Sequence, residues 1–119
     1  MNQPIDMQTL ACACESASAD HRLFTTAFSG CDETDGRFAN VSASRCRSCG
    51  RHWLRYFIEY EAFRQSGRWA RGLITDQQLK TITPETAIAH LNSLEWYLYG
   101  GSYFLSGGGR RKGPMHWGL

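Results

Sequence analysis

Nothing in this 119-residue sequence approaches the ~20 consecutive apolar residues that a membrane-crossing helix needs. Met1 to Leu10 lacks the basic start and apolar run of a secretory signal. Both absences lead us to expect a cytoplasmic protein, where thiols stay reduced and clustered cysteines more often bind metal than form disulfides. The five cysteines are an odd number, which argues against a complete intrachain disulfide framework. No internal repeat is visible. The His-x-Glu and Pro-Cys-x-x-Cys pairing of zinc deaminases is missing, and no other enzyme signature stands in its place. We therefore expect no enzyme.

The length suits one core, and we read a single domain over residues 1–105 followed by a flexible basic tail over 106–119. The net charge of +2 conceals an asymmetry: −5 up to Asp35 and +7 from Gly36 onward. Such a chain suits an acidic partner or nucleic acid, unless the halves neutralise each other in the fold.

Residues 1–11 read as a leader. Leu23 to Phe28 has the β-branched and aromatic content of a strand, Asp35-Gly36 is a hairpin signal, and Phe38 to Ser44 alternates as a second strand. His52 to Phe63 fits two periods. Leu54, Tyr56, Ile58, Tyr60 and Ala62 form one strand face, whereas Trp53, Tyr56, Phe57 and Tyr60 share one side of a helix. Aromatic enrichment and unbroken alternation favour the strand, with the helix kept open. Arg68 to Ile74 reads as a further strand. Thr83, Pro84 and Glu85 carry helix-start signals, and Ile88, Leu91, Leu94 and Leu98 continue an apolar stripe until Gly100-Gly101. Ser102 to Leu105 is a short apolar piece set to pack on the sheet. The tail, SGGGRRKGPMHWGL, has linker composition.

The strongest signal is two cysteine pairs, Cys12-Ala-Cys14 and Cys46-Arg-Ser-Cys49, the second followed by Gly50. Two tight turns that each offer two thiolates supply a tetrahedral metal, and a trailing glycine lets backbone amides turn toward sulfur. Arg45, Arg47 and Arg51 would offset the negative charge. On these residues the chain resembles the zinc-ribbon group over roughly residues 12 to 63: knuckle, hairpin, knuckle, strand. It differs in having C-x-C first and a 31-residue spacer, against ~15–20 in that pattern. The resemblance implies a structural Zn2+ held by Cys12, Cys14, Cys46 and Cys49. The fifth thiol, Cys31, reads as a small buried apolar residue, with Cys31 or His21 as the alternative fourth ligand. A redox dithiol at Cys46 and Cys49 competes, but it leaves Cys12 and Cys14 unexplained.

Glu59 and Glu61 resemble a carboxylate pair, but cross-strand ion pairing with Arg68 or Arg71 is the simpler role. His52, His90 and His116 read as surface or boundary residues. The second half interleaves aromatic residues with arginine. Arg55, Arg68, Trp69 and Arg71, with Arg110 and Arg111 of the tail, make a candidate surface for a protein partner. The same residues would also serve as a stacking platform for single-stranded nucleic acid. The expected fold is α+β: a small antiparallel β-sheet organised by a zinc-ribbon-like site, with one C-terminal helix packed on it. The expected function is a non-enzymatic, protein-binding zinc module. A nucleic-acid-binding zinc ribbon is the alternative, and a thiol-redox protein the second.

Overall fold

The computed structural model describes residues 11–118, so the leader read at the N-terminus lies, apart from Ala11, outside the described residues. Six antiparallel strands follow chain order across one sheet: β1 (Phe24–Asp32), β2 (Ala39–Cys46), β3 (His52–Ile58), β4 (Arg68–Ile74), β5 (Tyr97–Gly101) and β6 (Ser106–Arg111). Between β4 and β5 lie a one-turn helix α1 (Asp76–Leu79), a 3-10 turn (Pro84–Thr86) and helix α2 (Ala87–Ser93). This is the expected α+β arrangement, a small antiparallel sheet with a helix packed against it. Among the described residues, no helix is long and apolar enough to cross a membrane.

Strand alternation gives the sheet two different faces. On the first, Ala39, Val41, Leu54, Tyr56, Ile58, Ala70 and Ile74 form the main core, closed by Ala87 and Leu91 of the helical segment. Burying a side chain the size of Leu91 stabilises the fold by roughly 1.5–3 kcal/mol. Gly72 allows the close approach: a Cβ there would stand 2.3 Å from Leu94 and 2.9 Å from Leu91. The buried Tyr56 hydroxyl donates to Asp32 at 2.6 Å and accepts from Arg37 at 3.1 Å. Burial opposes ionisation of Asp32, but hydrogen bonds from Thr34 and Tyr56 outweigh it and hold the carboxyl below its usual range. On the second face Trp53 and Leu98 are buried with Cys14 and Cys46, and Trp69, Leu73 and Trp96 pack around them.

Three expectations need correction. The helix expected to run to Leu98 stops at Ser93, and Leu98, Gly100 and Gly101 belong to β5. The apolar spacing is compatible with a helix, but Tyr97 and Leu98 are both buried because strand alternation sends them to opposite faces. β1 extends four residues beyond Phe28, to Asp32, with a register shift between Thr26 and Phe28. In the segment expected as a flexible tail, β6 pairs along β5, with Leu98 opposite Arg110 and Tyr97 opposite Arg111. Glycine-rich composition suggested a linker, but the open edge of β5 supplies backbone partners that composition does not reveal.

The chain end is anchored as well. Met115 and Trp117 are buried in the main core. Arg68, only 1% exposed, donates to the carbonyls of Ser66, His116 and Gly118 and lies 3.7 Å from the Tyr103 ring centroid. The Tyr60 hydroxyl donates to the Trp117 carbonyl at 2.7 Å, and that of Tyr97 donates to the carbonyl of Gly113. Trp117→Ala should therefore lower unfolding free energy by about 3–5 kcal/mol in urea denaturation. A dangling tail would leave the midpoint unchanged.

Candidate metal centre

The second face of the sheet is covered at one end by residues 12–23, which run as two 3-10 turns, Ala13–Glu15 and His21–Leu23. Cys12 and Cys14 bracket the start of the first turn. Cys46 ends β2, and Cys49 lies in the turn to β3. Two backbone bonds shape that turn: Cys46 N–H donates to the Arg51 carbonyl at 2.8 Å, and Gly50 N–H donates to the Cys46 carbonyl at 2.9 Å. Gly50 has φ +81°, a left-handed conformation that glycine adopts without strain. A further bond, Arg47 N–H to the Leu23 carbonyl at 2.7 Å, ties the covering segment to the turn.

The four sulfurs converge. Cys12 Sγ lies 3.7 Å from Cys46 Sγ, and Cys14 Sγ lies 3.7 Å from Cys49 Sγ. All four lie within 4.8 Å of one another. Sulfurs bound at about 2.3 Å to a tetrahedral zinc stand about 3.8 Å apart, so both short contacts match edges of that tetrahedron. They are far beyond the ~2.05 Å of a disulfide. Each close contact joins one knuckle to the other, so the quartet behaves as one unit rather than two separate dithiols. Cys31 and His21 are not members of the cluster, and Cys31 is exposed rather than buried as expected. Its position on β1 puts it on the second face at the uncovered end, opposite Asn40.

The surroundings favour anionic sulfur. Ser48 N–H points at Cys46 Sγ at 3.3 Å, the amide-to-sulfur contact expected of a knuckle. Of Arg45, Arg47 and Arg51, it is Arg51 that reaches sulfur among the described residues, at 3.3 Å from Cys49 and 3.7 Å from Cys14. Burial opposes ionisation of Cys49, but hydrogen bonds from Arg51 prevail and bring its thiol down to about 6. Cys12 is lowered first by a backbone hydrogen bond from Cys14. Burial pushes Cys14 up to about 12 in the metal-free protein, only partly countered by the nearby indole N–H of Trp53. That N–H is buried and meets no acceptor at full hydrogen-bond geometry among the described residues. A cation among the sulfurs would reverse the burial penalty on Cys14, because metal binding deprotonates coordinating thiols.

Two further roles, not read from sequence, complete the site. Glu15, 8% exposed, accepts from Arg51 at 2.8 Å and from Arg110 at 3.1 Å. Arg110 also lies 3.9 Å from the Trp96 ring centroid. Arg71 donates to the carbonyls of Cys14 at 2.7 Å and Ser16 at 2.8 Å, fixing the first knuckle over β4. Neither role carries a local sequence signal, since a carboxylate beside thiolates looks repulsive until its arginines are placed.

The arginine surface read from sequence is divided by the fold. Arg68 and Arg71 are buried and hold backbone carbonyls, so neither belongs to an exposed partner surface. Nor do they pair with Glu59 and Glu61, which follow the end of β3. Arg110 braces the cysteine site, while Arg111 lies over Tyr99 at 5.6 Å. Arg55 and Trp69 remain on the second face, half-buried. His90 Nε2–H donates to the Leu73 carbonyl at 3.0 Å, which accounts for its boundary position. A scan of protein-family models, a search of curated proteins and a search of solved structures each return no match to this chain.

Glu15→Gln keeps the shape but removes the charge shared by Arg51 and Arg110. It should lower stability by about 1–2 kcal/mol in urea unfolding at an unchanged m-value.

Proposed function

We propose that this chain is a cytoplasmic, non-enzymatic binding module, stapled by one structural zinc ion on Cys12, Cys14, Cys46 and Cys49, that engages a protein partner. The observation that carries this reading is the convergence of four sulfurs within 4.8 Å of one another, two from each knuckle, with two contacts between the knuckles at tetrahedral edge length. Four thiolates fill a zinc coordination sphere and leave no position for water or substrate, so the metal stabilises the fold and does no chemistry. The two surplus negative charges of such a site fall beside Arg51.

The partner half of the reading rests on the opposite end of the sheet. Among the described residues, the exposed large apolar side chains are Phe38 at 74%, Phe63 at 56%, Tyr103 at 41% and Leu105 at 75%. They sit on or beside the turns joining β1 to β2, β3 to β4 and β5 to β6. In an antiparallel sheet ordered β1 to β6, those three turns share one end, away from the cysteines. With strands about 4.8 Å apart, neighbouring turns stand about 10 Å apart. Four large apolar groups along one rim suit a protein interface, whose central contacts are apolar and aromatic. Of the arginines read as a stacking platform for nucleic acid, Arg68 and Arg71 are largely buried against backbone carbonyls, which weighs against that alternative.

Native mass spectrometry after chelator-free purification should show one zinc per chain, and Cys14→Ser should lose both the ion and the cooperative unfolding transition. A metal-free folded chain, or one whose cysteines are isolated as disulfides, would turn the reading toward redox chemistry. Phe63→Ser combined with Leu105→Ser should leave zinc content and circular dichroism intact while weakening capture of a protein partner at least tenfold. Steeply salt-dependent binding to oligonucleotides, unaffected by those substitutions, would replace the protein partner with nucleic acid.

A further inference from the structure

A second concavity lies on the second face of the sheet, beside the covering segment and separate from both the cysteines and the apolar rim. Its volume is about 600 Å3, within the ~300–1,000 Å3 typical of small-molecule sites. Phe24, Trp53 and Trp69 give it aromatic walls, and Arg55 and Arg71 supply its charge.

The two arginines are an unusual pair. The β3–β4 register sets Arg55 directly opposite Arg71, and alternation puts both on the same face. Like charges in that position destabilise a sheet. Arg71 has a structural reason to be there, because its guanidinium holds the carbonyls of Cys14 and Ser16. Arg55 has none. Among the described residues its guanidinium has no carboxylate or carbonyl partner, and its neighbours are the rings of Phe57 at 5.3 Å and Trp69 at 5.9 Å. Burial alone pulls it below the usual arginine range, with no anion opposing the effect. A half-buried guanidinium held by aromatic rings, facing a second cation and lacking an acceptor, is a preorganised receptor for an anion. The hydroxyls of Thr26 and Ser44 also line the concavity and offer additional polar contacts.

We infer that this concavity binds a small aromatic anion, with a carboxylate or phosphate on the fork of Arg55 and a flat ring against Trp69 and Phe24. The planar guanidinium matches either oxyanion bidentately, and a ring beside the indole gains stacking as well as apolar burial. This site goes beyond the stapled module and its protein rim; Ala17, Ala19 and His21 of the covering segment also line it, so it rests on that segment being held in place.

The test is a 1H–15N NMR titration of the full metal-loaded chain with 2-naphthoate, 2-naphthyl phosphate, neutral 2-naphthamide and inorganic phosphate. One of the two naphthyl anions should shift the Arg55 Nε–H, the Trp69 indole N–H and nearby amides saturably. The preferred anion identifies the headgroup as carboxylate or phosphate. The amide and inorganic phosphate should bind at least tenfold more weakly. Arg55→Met should weaken the preferred anion at least tenfold while leaving the melting temperature unchanged or raised, since a like-charge neighbour is removed. Arg55→Lys, which keeps charge but loses the fork, should fall between the two. The inference is overturned if neither anion gives saturable shifts up to about 10 mM, a generous ceiling for ligands of this size. It is equally overturned if 2-naphthamide binds as well as the preferred anion, or if Arg55→Met binds that anion like the wild type. Zinc content measured on the same samples separates failure of this site from failure of the staple.

Discussion

The convergence of Cys12 and Cys14 with Cys46 and Cys49 holds the 12–23 segment against the sheet. Much of the second face depends on that attachment. The segment's other ties are one backbone bond to Arg47, the Glu15 ion pairs with Arg51 and Arg110, and carbonyls facing Arg71. Without a linkage at the sulfurs, Trp53 and Leu98 would lose much of their cover and Glu15 would lose its place between Arg51 and Arg110. The main core on the other face is closed by the helical segment and the chain end, and shares strands β2 to β4 with the cysteine face.

Arginine is assigned by the fold to several different tasks. Arg68 anchors the chain end through carbonyls and aromatic rings, and Arg71 supports the first knuckle. Arg51 faces sulfur, and Arg110 braces Glu15. These roles use the planar, multiply donating guanidinium, which can hold two acceptors and lie against a ring at once. They account for part of the basic second half, while Arg45, Arg47, Arg64 and Lys80 stay exposed. Arg55 differs from these four in that its fork has no internal acceptor among the described residues.

The sequence was legible where one physical rule acted locally. The alternation of Leu54, Tyr56 and Ile58 identified β3, and Arg68–Ile74 was read with the bounds the structure gives. The cysteine quartet was legible for the same reason, since the spacing of thiols on tight turns is a local property. The reading failed where a distant partner decided the outcome. Leu94 and Leu98 fit one helical stripe, yet pairing with β4 draws the second into β5. Ser106–Arg111 has linker composition, yet the edge of β5 makes it a strand. Arg68 and Arg71 read as surface charges because nothing local shows that the carbonyls of His116, Gly118, Cys14 and Ser16 will meet them.

The length of β3 has a consequence for how the two ends of the molecule communicate. Its seven residues at about 3.3 Å each separate the cysteine end from the three apolar turns by roughly 23 Å. A partner seated on those turns would touch neither the sulfurs nor their arginines. Occupancy at one end can reach the other only through the integrity of the sheet between them. The strand is thus a rigid spacer, and any metal dependence of partner binding would be all-or-none, set by the fraction of molecules that are folded.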